Sequence, residues 1–374
     1  MKHLALVAAL FLTLCTLASG QRSDVEAEYQ RSFDRGIEAF QSGELDAGIA
    51  AFRRCLELVP RTADCAYNLA CGYSLKEEVD TGVEWFGRAV DWGIGYSPGM
   101  LQLAREDSDL DNLREHQRFA AHIERLSMQV AEAERYANEP ALYMPPGLDP
   151  EAAVPLLVVL HDHGRTKESV LTGPWRRVAE ELGYALLAPS GRIAVGSEGP
   201  RAGMTWYLDL REFRARPEET HRTVGQAVLS FRNEHQLDRE RVVIAGDGLG
   251  AIVAFDLATR NPSLYRGVVL HDGIWDRVLA QRTAAAAGRR GLKAQVVYDV
   301  DGPMESKVGF PPGTEDSLLQ TTLHSLLTSL GIESRVRSYE LDGEEPELLE
   351  EVLAEAVRGV LRREGEGDDD DSRR

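Results

Sequence analysis

Val242-Val-Ile-Ala-Gly-Asp-Gly-Leu-Gly-Ala-Ile-Val-Ala-Phe255 runs from a β-branched stretch, through three spaced glycines, into a small-residue helical pattern that begins at Ala251. β-Branched side chains suit a pleated, buried strand, and glycine tolerates the positive φ of a sharp turn. The stretch therefore predicts a buried strand, a tight turn and a helix in immediate succession. Gly246 and Gly250 flank Gly248 symmetrically, so small residues at both ends let the turn pass close to its neighbours. The central residue of such a turn faces the carboxyl end of the sheet, where ligands of open α/β sheets bind. Here that residue is Gly248, which has no side chain.

Working outward, buried strands alternate with amphipathic helices from Val154 onward, the pattern of a doubly wound, mainly parallel sheet. Strands are expected at Leu156–Leu160, Ala185–Ala188, Val242–Ala245, Gly267–Leu270, Gln295–Tyr298 and Ser334–Tyr339, with a short one at Leu142–Met144. Helices are expected at Pro174–Leu182, Thr220–His235, Ala251–Thr259, Asp316–Leu330 and Pro346–Leu361. This α/β part spans residues 138–363, and the acidic run of residues 364–374 reads as a disordered tail.

The motifs resemble those of the α/β-hydrolase superfamily. Leu156-Leu-Val-Val-Leu-His-Asp-His-Gly164 is similar to its strand and His-Gly-x-Gly oxyanion loop, and the Gly246–Gly250 turn is similar to its Gly-x-Ser-x-Gly nucleophile elbow. Pro174–Pro189, Trp206 and Arg260-Asn-Pro262 bring the resemblance closest to the phospholipase/carboxylesterase-like and dienelactone-hydrolase-like branch. In that superfamily an elbow Ser attacks an ester carbonyl, a His takes its proton and an Asp orients the His. Gly248 stands where the Ser belongs and Glu344 where the His is expected. The acid position falls at Asp299 or Asp301, with Asp301 as the vestigial triad position. The oxyanion loop His161, Asp162, His163 and Gly164 carries Asp162 in place of the usual Gly, and a carboxylate beside the hole opposes a developing negative charge.

These departures imply a degenerate, catalytically inactive domain that acts by binding. Its pocket would be lined by Asp247, Leu249, Trp206, His271 and Asp272. An ester hydrolase working with non-standard residues is the competing reading. An Asp247 nucleophile is disfavoured because Leu249 is too bulky at the last small position of its frame. No cofactor is implied. His161, His163, Asp247 and His271 all fall just past strand ends, so a divalent-metal site there is a further alternative; helix capping and loop hydrogen bonds are the simpler use of the same residues.

Residues 21–137 read as a separate helical domain with a period of about 34 residues. Gly36, Gly43, Leu45, Gly48, Phe52, Cys55 and Pro60 are followed one period later by Leu69-Ala70, Tyr73, Val79, Gly82, Phe86 and Ala89. The spacing resembles the tetratricopeptide family over two units, with 92–126 as a degenerate capping unit. That resemblance implies a groove for a protein or peptide partner. Residues 1–20 read as an export signal, with Leu4–Leu14 as its apolar core and Ala18-Ser19-Gly20 as the cleavage segment, so the mature chain is expected to be periplasmic or secreted. Leu12-Thr-Leu-Cys15 resembles a lipoprotein box, but Leu14 occupies its small-residue position. No segment is expected to span a membrane. Cys55, Cys65 and Cys71 then remain, read as buried thiols with a Cys55–Cys71 disulfide as the alternative. The net charge of −19 over 374 residues argues against nucleic acid as a partner.

Overall fold

A computed structural model describes residues 19–149, 151–196, 198–208, 213, 215–273, 287–288, 290–299, 325, 327–339 and 346–362. The chain divides into two compact units, Met1–Tyr136 with Ile193–Met204, and Ala137–Arg192 with Thr205–Arg374.

The first unit is helical. α1 (Ser19–Gln41), α2 (Leu45–Leu58), α3 (Ala63–Leu75) and α4 (Val79–Asp91) form two successive hairpins, followed by α5 (Met100–Glu106) and α6 (Gln117–Asn138). The hairpins repeat one another down to the backbone. Gly43 turns the first at φ +80, and Glu77 takes the same left-handed place in the second at φ +63. The residues that follow, Glu44 and Glu78, share φ near −84 and ψ near 64. Small residues set the packing distance: a Cβ on Gly48 would lie 2.3 Å from the Phe40 ring. Phe52, Phe86, Leu69 and Val83 are fully buried in the resulting core. The three cysteines are free and buried, Cys55 against the Tyr29 carbonyl and Cys71 against Asp107, so the Cys55–Cys71 disulfide is not formed.

The second unit is built on a seven-stranded sheet. Its strands are β1 (Ala141–Tyr143), β2 (Val154–Leu160), β3 (Ala185–Ala188), β4 (Leu237–Asp247), β5 (Gly267–His271), β6 (Lys293–Asp299) and β7 (Glu333–Tyr339). Their order is β1-β3-β2-β4-β5-β6-β7, parallel throughout except for β1. The helices are α7 (Lys167–Thr172), α8 (Pro174–Leu182), α9 (Glu218–Glu234), α10 (Leu249–Arg260) and α11 (Pro346–Leu361).

Alternation along each strand separates two cores. Val242, Ile244, Val268 and Leu270 pack with α9 and α10, whereas Val243, Ala245, Val269 and Val297 pack with α8 and α11. The sheet is therefore covered on both faces, as the unbroken apolar runs require. Pro174 opens α8 and Gly183, at φ +68, closes it, the usual asymmetry of helix ends. α10 stops at Asn261, whose extended φ of −123 is what a residue before proline adopts. α7 is short and falls outside the expected helices, its six residues being too few for periodicity to stand out, whereas α5 falls within the 92–126 segment expected as a helical capping unit. The helix expected at Asp316–Leu330 falls largely outside the described residues. Among the described residues no helix is long and apolar enough to cross a membrane.

Candidate active site

The turn after β4 is where the sheet opens. Gly248 sits at φ +51 and ψ −117, a conformation essentially reserved for glycine unless strain is accepted. Gly250 has to be glycine for a different reason: a Cβ there would lie 2.3 Å from the Leu160 carbonyl of β2. The turn thus presses against the end of β2 and meets the loop His161-Asp162-His163-Gly164.

That contact accounts for the missing side chain. A Cβ placed on Gly248 would lie 2.0 Å from Oδ1 of Asp162. The Asp162 carboxylate occupies the space that an elbow side chain would fill. Its Oδ1 accepts two backbone hydrogen bonds, from the N–H of Leu249 at 2.8 Å and of His163 at 2.7 Å. These are the two donor positions of an oxyanion hole: the residue after the nucleophile position, and the loop after the neighbouring strand. Both N–H groups are already bonded, to the chain's own carboxylate. Burial raises the Asp162 pKa, against the lowering effect of the two N–H donors.

A second group lies at the ends of β4, β5 and β7. Asp247 points to the face opposite α10, where both of its carboxylate oxygens accept from Trp175 Nε1 at 2.9 and 3.0 Å. Its Oδ1 is 2.8 Å from Nδ1 of His271. The other ring nitrogen, Nε2, is 2.7 Å from the Tyr339 hydroxyl. Asp272 closes the group, with Oδ2 at 3.2 Å from both His271 Nε2 and the Tyr339 oxygen. Asp272 is itself held in a left-handed conformation at φ +45, and its Oδ1 accepts the Asp299 N–H at 2.8 Å. The Gly248 N–H donates to the His271 carbonyl at 3.0 Å, tying the elbow to this group.

Burial by itself lowers the His271 pKa, but the Asp247 hydrogen bond and the charges of Asp247, Asp272 and Asp162 outweigh it, and the net shift is upward. A raised histidine pKa adds stability that is complete below the ordinary value near 6.5 and is lost as pH rises through the folded value. An NMR titration of the full chain is therefore expected to place the His271 ring above that ordinary value, with Asp247→Asn moving it down. A ring that titrates at or below the ordinary value contradicts this charge arrangement.

The sequence-derived metal group is not assembled. Among the described residues no cluster of three or more His, Cys, Asp or Glu side chains is placed to hold a metal ion. The physical reason lies in what each ring already bonds. His161 accepts the Gly191 N–H at Nε2 (2.9 Å) and donates from Nδ1 to the Asp162 carbonyl (2.8 Å), which fixes its tautomer. Burial lowers its pKa to about 4, so the ring is neutral. His163 faces Thr205 Oγ1 at 3.1 Å, and His271 is engaged with Asp247 and Tyr339.

Trp206 donates from Nε1 to the His161 carbonyl at 2.7 Å and stacks on the His161 ring at 4.9 Å. It is 3% exposed and packs beneath the loop, the alternative to pocket lining that its place in the sequence also allows. Leu249 contributes its backbone N–H, and Gly164, at φ +69, turns the loop. Asp301 and Glu344 lie outside the described residues. Trp175 and Tyr339 were not singled out by the sequence reading; an aromatic at a strand end or on an amphipathic helix carries no signal that separates it from core.

The fold and this site are those of an α/β-hydrolase-type domain. The chain belongs to the family described as Esterase PHB depolymerase, which it matches over residues 139–339. No curated protein matches it. Among solved structures, an uncharacterized protein from Bacillus cereus ATCC 10987 shares 16% identity with a TM-score of 0.43, covering 89% of this chain and 98% of that one. The Bacillus cereus carboxylesterase shares 17% at a TM-score of 0.42, covering 58% of this chain and 94% of its own. An S-formylglutathione hydrolase from Agrobacterium tumefaciens shares 16% at 0.39, covering 59% and 88%. At such values these likenesses carry no argument about activity. The family membership does. It overturns the expectation of a catalytically inactive, binding-only domain and points to a carboxylesterase-type hydrolase.

Proposed function

We propose that this protein is a carboxylic-ester hydrolase in which non-standard residues replace the absent Ser and His. One observation carries the reading: two backbone N–H groups, of Leu249 and His163, converge on a single oxygen at the elbow. Donors already fixed in place stabilise the charge that develops on an ester carbonyl without reorganising during reaction. An anionic carboxylate oxygen occupying that point is chemically close to the oxyanion the hole would hold. Membership in an esterase family supports esters as the substrate class. The Asp247–His271 pair supplies an imidazole with its carboxylate partner, tied to the elbow through the Gly248 N–H.

Asp162 has to leave the hole for an ester carbonyl to enter, so the wild-type chain is a slow enzyme in this reading. The repeated hairpin turns at Gly43 and Glu77 support tetratricopeptide-type repeats in the helical unit, with a protein or peptide as the partner for their groove. The basic, then apolar, then small-residue pattern of residues 1–20 supports export. The test of the main reading is hydrolysis of short-chain p-nitrophenyl esters by the purified full chain. Turnover above a heat-inactivated control is expected; none above that control overturns it.

A further inference from the structure

We propose that Tyr339 is the nucleophile of this ester hydrolysis, with His271 as its base and Asp247 as the carboxylate that orients the base. The inference rests on the ester-hydrolase reading and names the group that attacks.

The connectivity is the argument. In a Ser-His-Asp triad a carboxylate accepts from Nδ1 of the imidazole, and a hydroxyl donates to Nε2. Here Asp247 Oδ1 is 2.8 Å from His271 Nδ1, and the Tyr339 hydroxyl is 2.7 Å from His271 Nε2. Carboxylate, imidazole and hydroxyl lie in the same order, with a phenol in place of the alcohol; the phenol sits 2.7 Å from His271 Nε2 and donates to Asp272 Oδ2 at 3.2 Å, so Asp272 and His271 compete for its proton. Register brings it together. Asp247 lies beside His271 across β4 and β5, and Tyr339 lies beside Asp299 across β6 and β7. Asp247 cannot swing freely, because Trp175 Nε1 donates to both of its oxygens and Trp175 is 1% exposed.

Asp272 adds a second carboxylate 3.2 Å from His271 Nε2, placed to stabilise the imidazolium that forms when the phenol is deprotonated. Its left-handed backbone at φ +45 stores strain of the kind that persists where surrounding structure demands it. Burial raises the Tyr339 pKa well above the ordinary phenol value, so the hydroxyl stays protonated until a base takes its proton. Tyr339 and His271 are buried, at 6% and 9% exposure, and the group meets solvent through the side chains of Asp247 and Asp272, which are 27% and 26% exposed.

The step balances with water as the one co-reactant. Tyr339 Oη bonds to the acyl carbon while His271 Nε2 takes the phenolic proton. The acyl carbon's bond to the alcohol oxygen then breaks, and His271 returns the proton to the departing alkoxide. Water adds to the acyl-tyrosine with His271 again as base, and Tyr339 leaves as phenoxide and recovers its proton. An aryl ester is a reactive intermediate, so the second half is the easier one.

Tyr339→Phe keeps the ring and its packing, which leaves the fold intact while removing the hydroxyl. Two readouts on the full chain test the proposal: p-nitrophenyl butyrate turnover, and covalent labelling by an alkyl fluorophosphonate mapped by peptide mass spectrometry. We expect Tyr339→Phe to lower kcat by at least about a hundredfold, in line with loss of a positioned catalytic group. The phosphonyl group is expected on Tyr339, and His271→Gln abolishes that label. Turnover that survives Tyr339→Phe unchanged, or a label on another residue, overturns the role of Tyr339 and leaves the ester-hydrolase reading standing. Absence of wild-type turnover overturns both.

Discussion

Replacing Asp162 with Gly raises kcat/KM for a short-chain aryl ester about tenfold or more, because it empties an oxyanion hole whose single donors are commonly worth 10²–10³ in rate. In the wild-type chain the Leu249 and His163 N–H groups are spent on Asp162 Oδ1. An ester must displace a carboxylate that two donors hold, and a carbonyl oxygen is a weaker acceptor than that carboxylate. With Gly at 162 the donors turn to substrate. Stability moves the other way: the part-buried Leu249 N–H loses its acceptor, at a cost of about 1–3 kcal/mol, while the exposed His163 N–H turns to water. Steady-state kinetics and thermal unfolding of the same preparation check both signs. Equal kcat/KM in the two proteins contradicts the claim that the hole is self-occupied.

The obvious repair, Gly248→Ser, is expected to fail alone. Its Cβ would lie 2.0 Å from Asp162 Oδ1, and a non-glycine residue at φ +51, ψ −117 carries backbone strain as well. Such strain costs about 1–3 kcal/mol before the clash is counted. The single variant should melt well below wild type and gain no activity. Combined with Asp162→Gly, the clash disappears and part of the stability returns, a coupling of about 0.5–3 kcal/mol between residues in direct contact. A Gly248→Ser protein as stable as wild type means that Asp162 does not occupy the elbow.

The elbow itself was legible in the sequence, because a β-branched run, spaced glycines and a small-residue helix each have one physical reading. The alternation of buried strands with helices made the sheet legible in the same way. What Gly248 meant was not. Its absent side chain read as a lost function, whereas the structure shows the space filled by a residue far away in sequence. That exchange depends on the close approach of two loops, and no local pattern records it. Asp162 was recognised as out of place, but its effect was placed beside the hole when its oxygen lies within it. His271 and Asp272 could be named as strand-end groups. Their partner Tyr339 could not, since an aromatic closing a buried strand reads as core. The metal reading failed because proximity to strand ends does not say which ring nitrogens are already bonded.

The most direct test of an ester hydrolase built on this hole removes one donor, together with a partly buried side chain at the edge of the core. Leu249 is the first residue of α10, a position where proline fits a helix and where its missing N–H breaks no helical bond. The measurement is kcat for p-nitrophenyl butyrate with wild type and Leu249→Pro, both shown by circular dichroism to be folded. The account predicts turnover by wild type above a heat-inactivated control and a fall of about 10²–10³ in the variant. Equal turnover in the two folded proteins, or none in wild type, contradicts it.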